Sequence, residues 1–234
     1  YECEEIAAEH NGLEKIASWR PDLIDGDFAI LMEPTDGRVE GGCQGTMRFT
    51  LEVPGRAAHS ARSWVGHNAI HDLSAVLERL NRWQERDPFV EVDGLTFREG
   101  LNATMLDAGV AGNVIPPTAT IQINYRFAPD KTTEQARQYM EDLFHEWPMN
   151  VLDLSAPARP GLDRPLAKSF VAAVGGEPGP KYGWTDVARF GQLGIPAVNF
   201  GPGNALCAHQ VDECCRLGSL DECYRALHTW LASR

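Results

Sequence analysis

Three widely separated motifs carry the side chains of this chain that are best suited to bind a hard metal ion. They are the Glu4-Glu5 pair, Glu33 before Pro34, and His209 after Ala208. Neighbouring carboxylates point in different directions, so one can bind a cation while the other stays free as a base. These residue types indicate part of a site for two zinc ions that activate water. Three ligands are too few for such a site, which predicts that further ligands come from elsewhere.

Composition limits the classes of partner. With 234 residues and 43% hydrophobic content, the chain is long enough for one large domain or two small ones. The net charge of -12 argues against a nucleic-acid partner, because phosphate binding needs a basic surface. No apolar run reaches the length of a membrane span, and we expect a cytoplasmic protein without a membrane partner. The start at Tyr1, without methionine, predicts that the chain is part of a longer protein.

Six cysteines favour reduced thiols over a disulfide framework, because their spacing lacks the density of a stapled scaffold. A zinc-thiolate cluster of Cys207, His209, Cys214 and Cys215 is a weaker alternative, since the spacing fits no standard template. His67 and His71 have a spacing that would place them on one helix face, but no third ligand accompanies them. We interpret that pair as structural.

The middle of the chain alternates strand and helix patterns. Residues 44–53 and 118–127 alternate apolar and polar side chains, as half-buried strands do. Helical spacing is seen over 65–83 and 133–146, the second opened by a capping signal at Thr132. Further strands are predicted at 89–98, 101–108 and 151–154. This order predicts a split βαβ sandwich with both helices on one face of the sheet.

The flanks predict a different layer structure. Short, continuous apolar runs at 28–31 and 197–200 are typical of buried parallel strands, and 220–231 has the pattern of an amphipathic helix. The sandwich is therefore predicted to be inserted into an α/β domain. The predicted boundaries are 1–42 for the first part of that domain, 43–155 for the α+β insertion, and 156–234 for the second part.

Sequence motifs along essentially the whole chain resemble one family, the dinuclear zinc amidohydrolases that include aminoacylases, carboxypeptidases, acetylornithine deacetylases and succinyl-diaminopimelate desuccinylases. The motifs are CEE at 3–5, EPT at 33–35, AHSAR at 58–62, GNVIP at 112–116, YRF at 125–127, GWTDVARF at 183–190 and FGPGNALCAHQVDE at 200–213. Within the family, the combination of CQG, AHSARSW and GWTD is most similar to the actinobacterial desuccinylases.

The resemblance implies a zinc-peptidase-like catalytic domain with a lid and dimerisation domain, and it implies a role for each matching residue. Glu4 matches the general base, Glu5 and Glu33 match ligands of different zinc ions, and His209 matches the partner ligand of Glu5. His59 matches a lid histidine that crosses the dimer interface to stabilise an oxyanion. The implied substrate-binding positions are Arg62, Asn113, Arg126, Gly183, Trp184, Thr185 and Asn204.

The implied cofactors are two Zn²⁺ ions, for which Co²⁺ can substitute, and the implied partner is a second copy of the chain. A histidine ligand and a bridging aspartate of the family pattern have no counterpart in this sequence. The implied reaction is hydrolysis of a linear amide, with Glu4 accepting a proton from water and passing it to the leaving amine.

The implied substrate is an N-succinyl amino diacid, N-succinyl-LL-2,6-diaminopimelate, used in lysine biosynthesis. Its carboxylates require cations in the pocket, and Arg62, Arg126 and Arg189 are the candidates. Many family members enter the lid through an Arg-rich strand, whereas this chain has Cys43-Gln44-Gly45 there. Two alternatives remain open. One is an acetylornithine deacetylase or other N-acyl-amino-acid hydrolase, and the other is a non-catalytic fragment or dimerisation module in which the metal site cannot form.

Overall fold

The computed structural model describes residues 11–208 and 210–233. Its strands are β1 (Ala29–Leu31), β2 (Glu40–Gly41), β3 (Gly45–Pro54), β4 (Ala58–His59), β5 (Phe89–Val92), β6 (Leu95–Arg98), β7 (Gly100–Ala108), β8 (Val114–Ile115), β9 (Thr118–Phe127), β10 (Met149–Ser155), β11 (Gly179–Pro180) and β12 (Ala197–Asn199). Its helices are α1 (Gly12–Trp19), α2 (Ala69–Gln84), α3 (Thr133–Leu143), α4 (Pro165–Val174), α5 (Val187–Gln192) and α6 (Leu217–Ala232). Within the described residues, no helix is both long and apolar enough to cross a membrane.

The described residues form two compact units. The second unit comprises Gly45–Val90 and Arg98–Ala156, and the first comprises Glu91–Phe97, Pro157–Arg234 and the N-terminal part up to Gln44, as far as they are described. The combination of α/β flanks with an α+β insertion confirms the predicted fold class.

The second unit is built on a four-stranded antiparallel sheet with strand order β10-β3-β9-β7. Because strand side chains alternate between faces, Met47, Phe49 and Leu51 of β3 point to the same side as Ile121 and Ile123 of β9. This side forms the core with buried residues of α2 and α3, which confirms that both helices cover one face. The alternating pattern therefore fixes the register of β3 against β9, since a shift of one residue would turn the polar side chains of a strand toward the core.

Helix α3 begins where the sequence predicts. Thr132 accepts a hydrogen bond from the backbone N–H of Gln135 at 3.2 Å, and the Gln135 side chain accepts one from the backbone N–H of Thr132 at 2.9 Å. This reciprocal pair is a capping box, and it satisfies two backbone donors that a helix start leaves open.

Gly45 occupies a position where β3 and β9 are in tight contact. It pairs with Phe127 across the ladder, and a Cβ built on Gly45 would lie 2.2 Å from the Cζ atom of Phe127. No side chain fits there beside a fully buried aromatic ring. The glycine of the Cys43-Gln44-Gly45 segment is thus fixed by packing within the sheet.

The first unit contains a small mixed sheet with strand order β1-β12-β2-β11, in which β1 and β12 are parallel neighbours. Four aromatic side chains form its main apolar cluster with neighbouring centroids 5.1 to 6.0 Å apart, namely Phe28, Phe170, Phe200 and Trp230. The Trp230 indole N–H donates to Ser169 Oγ at 3.0 Å, so its polar atom is satisfied.

Two local predictions are wrong. A single strand over 89–98 is observed as the strands β5 and β6, because Asp93 (φ 50°) and Gly94 (φ 81°) turn the chain between them. His67 precedes α2 instead of lying on it, and its ring is hydrogen-bonded to Asp72. The two histidines at 67 and 71 therefore do not share a helix face, which agrees with their structural interpretation.

Candidate functional site

Glu33 lies in the loop that follows β1, two residues beyond the end of that strand. The segment 200–208, which leads to His209, follows β12. Because β1 and β12 are adjacent and parallel, both loops leave the same edge of the sheet. In open α/β sheets this edge is where ligand sites are built. His209, Glu4 and Glu5 lie outside the described residues.

Backbone and hydroxyl hydrogen bonds hold these two loops against each other. The Thr35 hydroxyl donates to the Gly201 carbonyl at 3.2 Å and accepts from the Gly201 N–H at 3.1 Å. The Asp36 N–H donates to the Gly203 carbonyl at 2.7 Å. A Cβ on Gly201 would lie 2.5 Å from the Glu33 carbonyl oxygen, so only glycine allows this approach. The Glu33 loop is thus fixed to the start of the 200–208 segment.

Within residues 11–208 and 210–233, no group of three or more His, Cys, Asp or Glu side chains is arranged to hold a metal ion. Glu33 is the one predicted metal ligand that these ranges contain. Its carboxylate and the imidazole predicted at His209 are both donor types that zinc accepts.

The loop between β11 and α5 holds three predicted substrate positions with different environments. Gly183 is exposed and Trp184 is half-buried beneath the Arg189 guanidinium, whose carbon lies 5.5 Å from the ring centroid. Thr185 is buried, and its hydroxyl donates to Asn199 Oδ1 at 2.9 Å. The Thr185 side chain therefore has a structural partner, which ties the loop to the end of β12.

Asn204 is exposed at the start of the short 3-10 helix Ala205–Cys207. Its Oδ1 accepts a hydrogen bond from the Leu206 N–H at 2.8 Å, as an N-cap side chain does. This contact orients the Asn204 amide within the segment that leads to His209.

Arg189 forms ion pairs with two acidic side chains. Its Nε donates to Asp186 Oδ1 at 3.1 Å, and its terminal nitrogen lies 3.0 Å from Glu14 Oε2. The side chain is mostly buried, at 17% exposure. These pairings leave the predicted role of Arg189 toward substrate carboxylates without structural support.

Lys181 and Asn199 are buried polar residues that the sequence analysis missed. Lys181 Nζ lies 3.1 Å from Glu40 Oε2 and donates to the Pro34 carbonyl at 3.4 Å, beside Glu33. The Asn199 amide donates to the Gly42 carbonyl at 3.2 Å. The sequence offered a signal for each residue: a lysine lies shortly before the GWTD motif, and an asparagine ends an apolar strand. Lysine and asparagine are buried mostly where a polar partner is available, so their positions next to buried segments predict polar partners.

His59 lies in the second unit, on the two-residue strand β4, which pairs with β8. It is exposed, and its Nδ1 accepts a hydrogen bond from the Ala61 N–H at 3.1 Å. In a neutral imidazole, an accepting Nδ1 places the proton on Nε2. The local geometry thus presents Nε2 as a hydrogen-bond donor, which is the form that an oxyanion requires.

Arg62 and Asn113 lie next to His59. Arg62 is exposed in the short 3-10 helix Ser60–Val65 that follows β4, and it interrupts that helix with φ -135° and ψ 45°. The Asn113 carbonyl accepts from the Ser60 N–H at 2.9 Å. The structure therefore brings His59, Arg62 and Asn113 together around one short β ladder.

Arg126 lies on β9, on the face of the sheet opposite the helices. Its Nε donates to Asn124 Oδ1 at 3.2 Å, and the residue is half-buried. Arg48, opposite Asn124 on β3, lies 3.6 Å from Asp153. Arg126 therefore belongs to a polar sheet surface of the second unit.

Residues 42–146 match the M20 family model described as the peptidase dimerisation domain. A Mycobacterium tuberculosis protein provisionally named succinyl-diaminopimelate desuccinylase DapE is 50% identical over 99% of this chain and 65% of its own length. The succinyl-diaminopimelate desuccinylase of Corynebacterium glutamicum is 40% identical over 99% of this chain and 64% of its own length.

A solved structure shares the fold. The M20 family metallo-carboxypeptidase Sso-CP2 of Sulfolobus solfataricus superposes with a TM-score of 0.66 at 17% identity, covering 93% of this chain and 65% of that one. The chain spans about two thirds of the length of the curated relatives that it matches. Residues 42–146 are thus similar to the M20 peptidase dimerisation domain, and the chain is similar over nearly its whole length to proteins named succinyl-diaminopimelate desuccinylase.

Proposed function

We propose that the complete protein is a zinc-dependent succinyl-diaminopimelate desuccinylase, which hydrolyses N-succinyl-LL-2,6-diaminopimelate to succinate and LL-2,6-diaminopimelate in the cytoplasm. The observation that carries the proposal is 50% identity over 99% of this chain to a relative that bears this name. A second relative with the same name, 40% identical, supports the same substrate class.

The metal ligands of this chain are proposed as Glu5, Glu33 and His209, with further ligands supplied from outside it. Two Zn²⁺ ions would supply Lewis acidity and lower the pKa of water; Co²⁺ is expected to replace them. The position of Glu33 supports this assignment, because its loop is pinned to the segment that runs toward His209. Lys181 holds the Pro34 carbonyl and thereby limits movement of the same loop.

Glu4 is proposed as the general base. Its neighbour Glu5 is bound as a ligand in this scheme, so Glu4 remains free to take a proton from water and return it to the leaving amine. The amine must receive a proton because an amide anion is a poor leaving group. One carboxylate positioned beside the scissile bond can perform both transfers.

His59 is proposed to donate from Nε2 to the developing oxyanion in the active site of a second copy of the chain. The Ala61 N–H holds the Nδ1 atom and thereby orients the donor before substrate arrives. Arg62 and Asn113 are proposed to enter the same site with His59, because all three lie around the ladder of β4 and β8. Arg126, Gly183, Trp184 and Asn204 are retained as proposed substrate contacts.

This arrangement requires homodimerisation, which we propose to occur through residues 43–155, the proposed lid and dimerisation domain. Strand β7 forms one edge of the sheet, and its residues from 102 to 108 are exposed. Met105 is 66% exposed and Leu106 is 60% exposed there. Apolar side chains on an open edge strand favour pairing with a second copy.

The test is hydrolysis by the purified full-length enzyme with zinc. We expect N-succinyl-LL-2,6-diaminopimelate to be preferred over N-acetylornithine by kcat/KM. Glu4→Gln should lower turnover by about 100- to 10,000-fold while zinc content stays unchanged. Preference for the acetyl substrate would overturn the proposed specificity, and loss of zinc in Glu4→Gln would make Glu4 a ligand.

A matched pair of histidine variants tests the oxyanion role. His59→Ala should lower kcat by about 100- to 1000-fold without loss of zinc. His71→Ala, on the exposed part of α2, is the control and should retain native turnover. Equal loss of zinc and activity in His59→Ala would make His59 a ligand or a structural residue.

A further inference from the structure

Two cysteines of the first unit lie on opposite sides of one serine. Cys223 is buried on α6, and Ser219 precedes it by four residues on the same helix face. Side chains with this spacing have Cβ atoms about 5 to 6 Å apart. Cys215, just before α6, has its Sγ 3.3 Å from Ser219 Oγ. The two thiols therefore flank Ser219.

The positions of the two sulfur atoms are also defined by their distances from two glycines. A Cβ built on Gly37 would lie 3.7 Å from Cys223 Sγ, and one built on Gly203 would lie 3.8 Å from Cys215 Sγ. The loops of these glycines are adjacent, because the Asp36 N–H donates to the Gly203 carbonyl at 2.7 Å. Each thiol thus faces one of two loops that are hydrogen-bonded to each other.

The thiols also differ in accessibility. Cys215 is exposed, whereas Cys223 is 2% exposed. Burial raises the pKa of the Cys223 thiol, and the neighbouring Cys215, Glu222 and Asp36 raise it further. Cys215 is therefore the sulfur that an external reagent reaches first, and Cys223 is suited to react second, with a group already delivered to its neighbour.

We propose that Cys215 and Cys223 form a redox-sensitive thiol pair that closes to a disulfide when the protein meets a low-molecular-weight disulfide. The Cys215 thiolate attacks one sulfur of the small disulfide, forming a mixed disulfide and releasing one small thiol. The Cys223 thiolate then attacks the Cys215 sulfur, and the second small thiol leaves. Two cysteines are oxidised, one small disulfide is reduced to two thiols, and the cysteine protons end on those thiols.

Closure would connect α6 to the turn that precedes it, next to the loops at 35–37 and 201–203. Disulfide geometry requires Cβ atoms about 3.5 to 4.5 Å apart, so Cys215 must move toward the helix. Cys215 lies outside α6, where backbone adjustment is less costly than within a helix. The proposal does not depend on the proposed hydrolytic function.

The experiment treats the intact chain with oxidised glutathione, blocks the remaining thiols and digests the product with trypsin. Cleavage after Arg189, Arg216 and Arg225 separates Cys215, in peptide 190–216, from Cys223, in peptide 217–225. We expect these two peptides to be joined, two fewer titratable thiols per chain, and full reversal by dithiothreitol.

Serine variants identify the pair, because peptide 190–216 also contains Cys207 and Cys214. Cys215→Ser should abolish the linked peptides and slow oxidation of Cys223 at least about tenfold. Cys214→Ser is the matched control and should form the link as the native chain does. Cys215 is exposed, so its variant is expected to fold even if Cys223→Ser does not. A link that persists in Cys215→Ser, or oxidation confined to peptide 190–216, would overturn the proposal.

Discussion

Thr185 belongs to a recognisable motif, and its hydroxyl forms a hydrogen bond within the fold. Its hydroxyl lies in a buried hydrogen bond with Asn199, and Asn199 in turn donates to the Gly42 carbonyl. The resemblance of the GWTD motif to a known family implies a substrate contact at this position. In the structure, the side chain connects the motif loop to the end of β12.

Replacing Thr185 separates these two roles. Thr185→Val keeps the shape but leaves Asn199 Oδ1 without its donor, so the free energy of unfolding should fall by about 1 to 3 kcal/mol. Thr185→Ser retains the hydroxyl and serves as the control. Urea unfolding of both variants measures the difference. A Thr185→Val variant with native stability and a raised KM would instead support direct substrate binding.

The residue types of the candidate site were predictable, but their surroundings were not. Glu33 and His59 could be recognised from the motifs in which they lie, EPT and AHSAR. The contacts of Thr185 with Asn199 and of Lys181 with Pro34 join residues 14 and 147 positions apart. Such contacts depend on sheet order, which local sequence patterns do not encode.

At the scale of elements, alternation and capping predicted the second unit well. Strand β9 has the predicted limits, and α3 begins at the predicted cap. The prediction over 89–98 missed a turn because the apolar pattern continues on both sides of Asp93-Gly94. An Asp-Gly pair between two such runs is itself a hairpin signal.

Glu99, between β6 and β7, is a buried charge that holds several elements together. Arg86 and Lys131 form ion pairs with it at 2.5 and 3.1 Å, and the Tyr125 hydroxyl and the Ala128 N–H donate to it at 3.2 and 3.0 Å. Burial alone would raise the pKa of Glu99, but Arg86, the Ala128 N–H and Lys131 outweigh burial and hold that pKa below the ordinary value.

The lowered pKa predicts an acid-sensitive contribution to stability. A carboxyl with a depressed folded-state pKa stabilises the fold fully above its unfolded pKa, and loses this effect as the pH falls through the folded value. Glu99→Gln should therefore lower the free energy of unfolding by about 3 kcal/mol at pH 7, since it leaves Arg86 and Lys131 without their anion. The difference from native protein should shrink below about pH 4 in urea unfolding series. A difference independent of pH would assign the effect to packing. Glu91→Gln, an exposed acid of β5, is the control.

At the scale of the whole molecule, the two edge strands of the main sheet in the second unit differ. Strand β7 exposes nearly all of its residues, whereas most of β10 is half-buried. An exposed edge with apolar side chains is a surface that proteins usually cover or pair. The peptidase dimerisation domain match over 42–146 includes β7 but not β10.

Charges on β7 should therefore weaken the proposed self-association. Met105→Lys with Leu106→Lys is expected to raise the dimer dissociation constant at least about 100-fold, because like charges would face each other across a two-fold axis. Both side chains are exposed, so the monomer should keep its thermal stability. Analytical ultracentrifugation measures the change. Leu152→Lys, on β10 and 50% exposed, is the control, and a comparable loss of dimer in that variant would place the interface at the opposite edge.

The absence of a side chain at Gly45 couples that position to the ring of Phe127. Neither residue can be exchanged alone without penalty: Gly45→Ala would collide with the ring, and removing the ring would leave a cavity. Changing both at once should cost less than the sum of the single changes, which is positive epistasis measurable in a double-mutant cycle. Evolution at position 45 is therefore conditional on position 127. A related sequence that carries a larger residue at position 45 is expected to carry a residue smaller than phenylalanine at position 127.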